Sequence, residues 1–321
     1  MKWEQSWRSS NNRFILRPLS IATVRRGWKG QGAQRDHGSV HGWPARGGTR
    51  QVTITAWTRV LRFDGINNFR DYGGWRAQDG ARVVTGKLYR SAHLQRASEA
   101  DLGRIAELGI ATVTDLRHPA EQEEQPSAWI GVLPLRLIME DDPTPFDVVM
   151  GDRKAPHVAA FMASNFSFEA MRDFLAGHYG LMPYDIRHVA MFRRYFDALA
   201  QDDGAMLIHC AAGKDRTGIL AALTHQVLGV HPDDALEDYL LSNTAGNVGE
   251  RLPALKKRME LNYGREISDE AMYALLTVEP LYLERCREAL QEKSGSVDRY
   301  LADVLQVDAA KRRTIQDKLL S

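Results

Sequence analysis

Cys210 and Arg216 bracket the stretch of this chain where residue types and spacing converge on a reaction. Residues 205–220 read Ala-Met-Leu-Ile-His209-Cys210-Ala211-Ala212-Gly213-Lys214-Asp215-Arg216-Thr217-Gly218-Ile-Leu. A short apolar strand ends, a tight loop containing glycine follows, and an apolar helix begins. Such a loop turns successive backbone N–H groups inward, and the helix N-terminus adds positive potential, which makes an anion cradle. A cysteine at the start of the cradle is favoured as its nucleophilic thiolate. An arginine six residues on can curl back and grip a planar set of oxygens with two N–H donors. Together they point to phosphoryl transfer through a covalent cysteinyl intermediate.

Other chemistries fit worse. A Walker A loop needs Gly-x4-Gly-Lys-Ser/Thr, but Gly213-Lys214 is followed by Asp215 and position 208 is Ile. Zinc needs more Cys and His at short spacing than His209 and Cys210 supply. A lone cysteine in a turn would read as buried packing. The Arg-Thr-Gly that follows and the flanking strand and helix argue against that here. Cys286 has no such loop and reads as structural.

The elements that position the loop alternate. Val52–Leu61, Arg82–Tyr89, Ile110–Leu116 and Ala205–Ile208 read as strands, with the turn-forming stretch Asn67–Gly74 between the first two. Ser98 and Asp101 form a capping-box pattern for a helix that ends at Gly109. Arg187–Ala200 is a helix with Phe192, Phe196 and Leu199 on one side, and Ile219–Leu228 is apolar nearly all round, hence buried. Pro232 opens another helix. From Ser268 the chain is helical, with a break or kink at Pro280. The alternation predicts an α/β fold with a central, mostly parallel sheet flanked by helices.

Charge divides the 321 residues unevenly. The first fifty hold ten Lys or Arg against two acids, and the remainder 32 against 39. Residues 1–55 also carry four of the seven Trp and no helical or strand period. They read as a basic, disordered tail or an over-extended start, with a transit peptide, a polyanion-binding arm or a signal peptide at Phe14–Val24, interrupted by Arg17 and Pro18, as alternatives. Residues 56–321 read as the catalytic domain. The net charge of +1 gives no sign of nucleic-acid binding. No apolar run approaches the roughly 18–20 residues of a membrane helix, so stable membrane insertion is not expected. Two cysteines form no disulfide framework and favour a reducing, cytoplasmic compartment.

The Cys-x5-Arg loop resembles that of the cysteine-dependent protein tyrosine phosphatase superfamily. Its form His-Cys-x-x-Gly-Lys-Asp-Arg-Thr-Gly is similar to that of the bacterial branch like the mycobacterial secreted tyrosine phosphatase B. Asn68-Phe69-Arg70-Asp71-Tyr72-Gly73-Gly74, Leu88-Tyr89-Arg90-Ser91-Ala92, Val113–Arg117 with Glu121 and Pro126, and Asp238–Asn243 match further blocks of that branch. The resemblance spans roughly residues 60–320.

It implies a phosphatase acting on phosphotyrosine, with dual specificity or phosphoinositide substrates as alternatives, and a phosphoprotein-binding pseudophosphatase as the non-enzyme alternative. Cys210 would form a phosphocysteine. Arg216 and the N–H groups of Ala211, Ala212, Gly213, Lys214, Asp215 and Arg216 would hold the phosphate oxygens. Thr217 would stabilise the leaving thiolate, and His209 would orient the loop. No metal or cofactor is implied. The general acid of most of the superfamily lies on a Trp-Pro-Asp loop. Here the Trp-Pro is Trp43-Pro44-Ala45, without the acid. Asp215 is the first candidate and Asp115 the second. Asp141, Asp142 and Asp147 are weaker. Lys214 either supports one phosphate or accompanies phosphoinositide activity. The Met- and Phe-rich residues 146–184 are a possible helical lid or extra core helices. Relatives in this branch can leave the cell without an obvious signal. The oligomeric state stays open.

Overall fold

The computed structural model describes residues 59–129, 131–140 and 167–321. The expected tail 1–55 lies outside the described residues, as do Trp43-Pro44, Asp141, Asp142, Asp147 and the 146–166 part of the expected lid.

Five strands form one sheet. They are β1 (Arg70–Asp71), β2 (Leu88–Ser91), β3 (Ile110–Asp115), β4 (Arg136–Ile138) and β5 (Ala205–His209), in spatial order β1-β2-β5-β3-β4. β2, β5, β3 and β4 are parallel, and β1 is an antiparallel edge. The fold is therefore mixed α/β with a mostly parallel sheet flanked by helices, as the alternation predicts. β5 is central and every residue in it is buried, which is why Ala-Met-Leu-Ile reads as a continuous apolar run rather than an alternating one. Its parity still sorts the core. Met206 and Ile208 face a large cluster with Leu88, Phe192, Phe196 and Ile219. Ala205 and Leu207 face a smaller one with Tyr89, Ile105, Val113 and Trp129. Each buried Leu, Ile, Val, Met or Phe among them is worth roughly 1.5–3 kcal/mol of burial.

The helices follow their sequence signals. In α1 (Glu99–Glu107) the Ser98 hydroxyl accepts from Asp101 N–H at 3.1 Å and Asp101 accepts from Ser98 N–H at 3.1 Å. Gly109 ends that helix at φ +64°. α2 (Pro119–Glu124) follows β3. α3 (Phe168–Leu181) is the described helix of the expected lid, and Met171, Leu175, Ala176 and Tyr179 are buried in the large core cluster. α4 (Ile186–Gln201) and α5 (Arg216–Val227) match the predicted helices, and α5 is buried nearly all round. α6 (Pro232–Leu240) opens with Pro232, capped by His231. Pro280 breaks rather than kinks the C-terminal helical region, as the first residue of a new helix, Pro280–Ser294.

Two strand expectations need correction. Arg82 and Val83 form only isolated bridges, to Arg76 and Leu320, and the strand itself is Leu88–Ser91. Gly86, at φ +76°, turns the chain between them. Of Val52–Leu61, residues 52–58 lie outside the described residues, and Val60 makes a single bridge to Arg70. The turn-forming stretch 67–74 contains the edge strand β1.

Candidate active site

Ser91, Asp115 and His209 lie in register at the C-terminal ends of β2, β3 and β5. In an open parallel sheet this edge is where ligands bind. The chain leaves β5 there, forms the loop Cys210–Asp215 and enters α5 at Arg216.

The loop is anchored through its carbonyl groups. Ala211 O accepts from His93 N–H at 3.2 Å. Asn68 Nδ2 donates to Ala212 O at 3.0 Å and to Gly213 O at 2.9 Å. Arg90 Nη2 donates to Gly213 O at 3.0 Å. A peptide unit points its N–H opposite its C=O, so three consecutive anchored carbonyls turn the following N–H groups into the loop. Among the described residues, none of the N–H groups from Ala211 to Arg216 donates a hydrogen bond within the protein. They follow Cys210 directly in the chain, and Cys210 is free and buried. Gly213 is required: its φ is +66°, and a Cβ would lie 2.2 Å from Ser91 O.

Behind the loop lies buried charge. Asp238 sits between Arg70 (Nε to Oδ1, 3.2 Å) and Arg90 (Nη1 to Oδ2, 2.7 Å), with all three side chains excluded from solvent. Burial opposes the Asp238 charge, but Arg70 and Arg90 outweigh it and hold the carboxyl far below its usual range. Burial and the neighbouring Arg90 bring Arg70 down to about 10, so it stays charged at neutral pH. Arg70 Nη1 also donates to Asn68 Oδ1, fixing the amide that holds the loop. Two cations against one carboxylate leave a buried positive charge beside the cradle.

Arg216 is aimed by Glu121 of α2. Nη1 and Nη2 donate to the two Glu121 oxygens at 2.6 and 2.9 Å, and Nη1 also donates to Leu116 O at 3.0 Å. Burial works against the cation, but Glu121, then Cys210 and Asp215, outweigh it and keep Arg216 protonated. The Nε edge has no partner among the described residues, which leaves one fork for an oxyanion.

The two acid candidates differ in surroundings. Asp115 is buried and bound by Arg117, with Nε to Oδ1 at 2.9 Å and Nη2 to Oδ2 at 2.6 Å. Burial opposes its charge, but His209 and Arg117 overcome it and hold the carboxyl below the usual aspartate range. Asp215 is 24% exposed and lies next to Arg216 in the chain. Its Oδ1 accepts from Tyr179 Oη at 2.7 Å and lies 3.3 Å from Lys214 Nζ. Tyr239 Oη donates to Tyr179 Oη at 2.7 Å. Burial, then Asp215, push the Tyr179 pKa well above the ordinary tyrosine value, so it is a donor.

The remaining expected residues are placed as follows. Lys214 is buried and donates to Thr277 O at 3.1 Å. His209 is fully buried, with Nδ1 3.4 Å from Cys210 O and Nε2 3.6 Å from Asp115. Burial lowers its proton affinity although Asp115 pulls the other way, so the ring is neutral at pH 7. The Thr217 hydroxyl is buried with no hydrogen-bond partner. Cys286 is buried among core side chains, and burial pushes its thiol up to about 12, in keeping with a structural role. Among the described residues no three His, Cys, Asp or Glu cluster as metal ligands.

Neither Tyr179 nor Tyr239 is marked as a site residue by the spacing of the sequence. Glu121, Asn68, Arg90 and Asp238 were visible only as members of matching blocks. Gly218 of the Arg-Thr-Gly motif gains a reason as well: a Cβ there would lie 2.8 Å from the Tyr239 ring and 3.5 Å from Arg90 Nη2.

A family model described as the tyrosine phosphatase family matches residues 61–321. A Cupriavidus necator protein assigned as a tyrosine-protein phosphatase is 36% identical over 259 residues, covering 79% of this chain and 86% of that protein. The triple-specificity protein phosphatase PtpB of Mycobacterium tuberculosis is 27% identical over 263 residues, covering 72% of this chain and 91% of PtpB. The solved structure of P. aeruginosa TpbA aligns at 19% identity with a TM-score of 0.28, covering 66% of this chain and 96% of that one. The first two likenesses span the loop, its carbonyl anchors and the strands that carry them, and the chain belongs to the tyrosine phosphatase family.

Proposed function

We propose that the chain hydrolyses phosphotyrosine in two steps. The Cys210 thiolate attacks phosphorus, the P–O bond to the aryl group breaks, and Asp215 gives its proton to the departing oxygen. Water then attacks the phosphocysteine and returns a proton to Asp215, and the S–P bond breaks to release phosphate and the thiolate. The observation that carries this reading is the run of unbonded N–H groups from Ala211 to Arg216, which follows Cys210 in a loop whose carbonyls are anchored. Preorganised donors aimed at developing charge are often the largest single term in catalysis.

In this reading the free fork of Arg216 takes two phosphate oxygens. The unpaired Thr217 hydroxyl is available to the thiolate. Asp115 is a positioning residue, because both its oxygens are committed to Arg117. Lys214 adds charge to the single cradle, since its ammonium is engaged by Thr277 O and Asp215 rather than directed at a second phosphate.

The test is steady-state hydrolysis of a phosphotyrosine peptide, a phosphoserine peptide and a set of phosphoinositides by the full chain and by Cys210→Ser. The expected result is a clear preference in kcat/KM for phosphotyrosine, abolished by C210S, which retains phosphopeptide binding. Preference for the lipids would move the substrate class to phosphoinositides. Turnover surviving C210S would refute the cysteinyl mechanism, and binding without turnover by the unaltered chain would make it a phosphoprotein-binding module.

A further inference from the structure

We infer that Tyr179, braced by Tyr239, fixes which oxygen of Asp215 carries the transferred proton. The inference rests on the reading of Asp215 as the general acid and adds the residue that orients it. Three observations converge. The one hydrogen bond to the Asp215 carboxylate among the described residues falls on Oδ1, where Tyr179 Oη donates at 2.7 Å, and the shortest approach of Lys214 Nζ, 3.3 Å, is to the same oxygen. Oδ2 accepts no hydrogen bond among the described residues. Tyr179 itself has no freedom to swing away. It is fully buried, it accepts from Tyr239 Oη at 2.7 Å, and its ring lies against Tyr239 at 6.2 Å and Tyr282 at 5.3 Å between centroids.

The chemistry follows from counting donors. An oxygen that already accepts from a hydroxyl and faces an ammonium is a poor place for a proton, so the proton of the neutral acid sits on Oδ2. When the aryl–oxygen bond breaks, the electron pair goes to the leaving oxygen and the Oδ2 proton follows it. The carboxylate left behind is stabilised at Oδ1 by hydrogen bonds that exist before the reaction. The Tyr239 to Tyr179 to Asp215 chain is directional, each hydroxyl donating onward, and such chains strengthen their last bond. Tyr179 touches no reacting atom, so it is a positioning residue.

The pair of substitutions Tyr179→Phe and Tyr239→Phe tests this, because each removes one hydroxyl and keeps the ring in place. The readout is the dependence of kcat on the leaving group, comparing phenyl phosphate with an activated aryl phosphate such as difluoromethylumbelliferyl phosphate. A residue with a merely structural role would lower both rates alike.

For Y179F the expected kcat on phenyl phosphate is about tenfold lower, the lower end of what a hydrogen bond to a charged group is worth. On the activated substrate it stays within about twofold, because little proton donation is needed there. KM is unchanged on both. Y239F shifts the slope in the same direction by less.

Asp215→Asn is run beside them to keep the two ideas separate. If D215N gives the steep leaving-group dependence and Y179F leaves the slope of the unaltered chain, the Tyr179 inference is overturned and the acid assignment stands. If D215N itself leaves the slope unchanged, Asp215 is not the acid and both ideas fall. Equal loss on both substrates in Y179F also overturns the inference, since that is the mark of general damage.

Discussion

Asn68→Asp keeps the shape of a side chain and reverses the sense of its bonds to the catalytic loop. Asn68 adopts a left-handed backbone, φ +59°, which aspartate also tolerates. An aspartate would still accept from Arg70. It would no longer donate to Ala212 O and Gly213 O, now held at 3.0 and 2.9 Å. Gly213 O keeps Arg90, so the peptide released is the one joining Ala212 to Gly213. Its N–H is the amide of Gly213, one of the six aimed at the anion. Two lost hydrogen bonds cost about 2 kcal/mol of local order, and losing one preorganised donor lowers kcat by roughly 10²–10³. The added carboxylate also repels the anion. The assays are kcat and KM on a phosphotyrosine peptide, the inhibition constant of inorganic phosphate, and the thermal midpoint. We expect kcat to fall by about two orders of magnitude and phosphate to inhibit more weakly. The midpoint should drop by only about 4–8 °C, at roughly 2–4 °C per kcal/mol for a domain of this size. Values of kcat and phosphate inhibition within twofold of the unaltered chain would refute the view that anchored carbonyls aim the amides.

Asp115→Asn removes one partner of a buried ion pair, so stability should fall by about 3–5 kcal/mol while the leaving-group dependence of kcat holds. A steepened dependence would instead place the acid at Asp115. Asp238→Asn should cost at least as much, because two buried guanidinium groups lose their shared counter-charge. The folded Asp238 carboxyl lies below its unfolded value of about 3.9, so its contribution is complete above that pH and fades as pH falls toward the folded value. Thermal midpoints measured from pH 7 to pH 3 should therefore converge between D238N and the unaltered chain at the acid end. A gap that persists unchanged to pH 3 would contradict this.

Much of the site was legible because its chemistry is local. Cys210, the loop and Arg216 are consecutive, and their spacing carries the geometry. The capping box at Ser98 and the proline opening α6 are local for the same reason. β2 was misplaced because Arg82–Val84 is rich in β-formers, while Gly86 turns the chain and the parallel partner, β5, begins pairing only at Leu88. Tyr179 was not legible as a site residue. It lies 36 residues before Asp215, within a Met- and Phe-rich stretch whose composition fits either core or lid. Only the packing of α3 against the core directs that one hydroxyl to Asp215. Asn68 and Arg90 act on the loop from 145 and 123 residues away, and Asp238 holds Arg90 from 148 residues away. No spacing rule reaches that far.

Asp238 and Tyr239 are adjacent residues of α6, about 100° apart around its axis. One steadies the arginines behind the loop and the other steadies the tyrosine that holds Asp215. α6 is thus a common mount for two flanks of the site, and its rotational tolerance is small. At the roughly 5–6 Å reach of its side chains, a roll of about 10° moves their tips by about 1 Å. That takes a 2.7 Å contact past hydrogen-bonding distance on both flanks together. Anion grip and proton delivery are in this sense one alignment, and a substitution that loosens the seat of α6 far from the loop should degrade both in step.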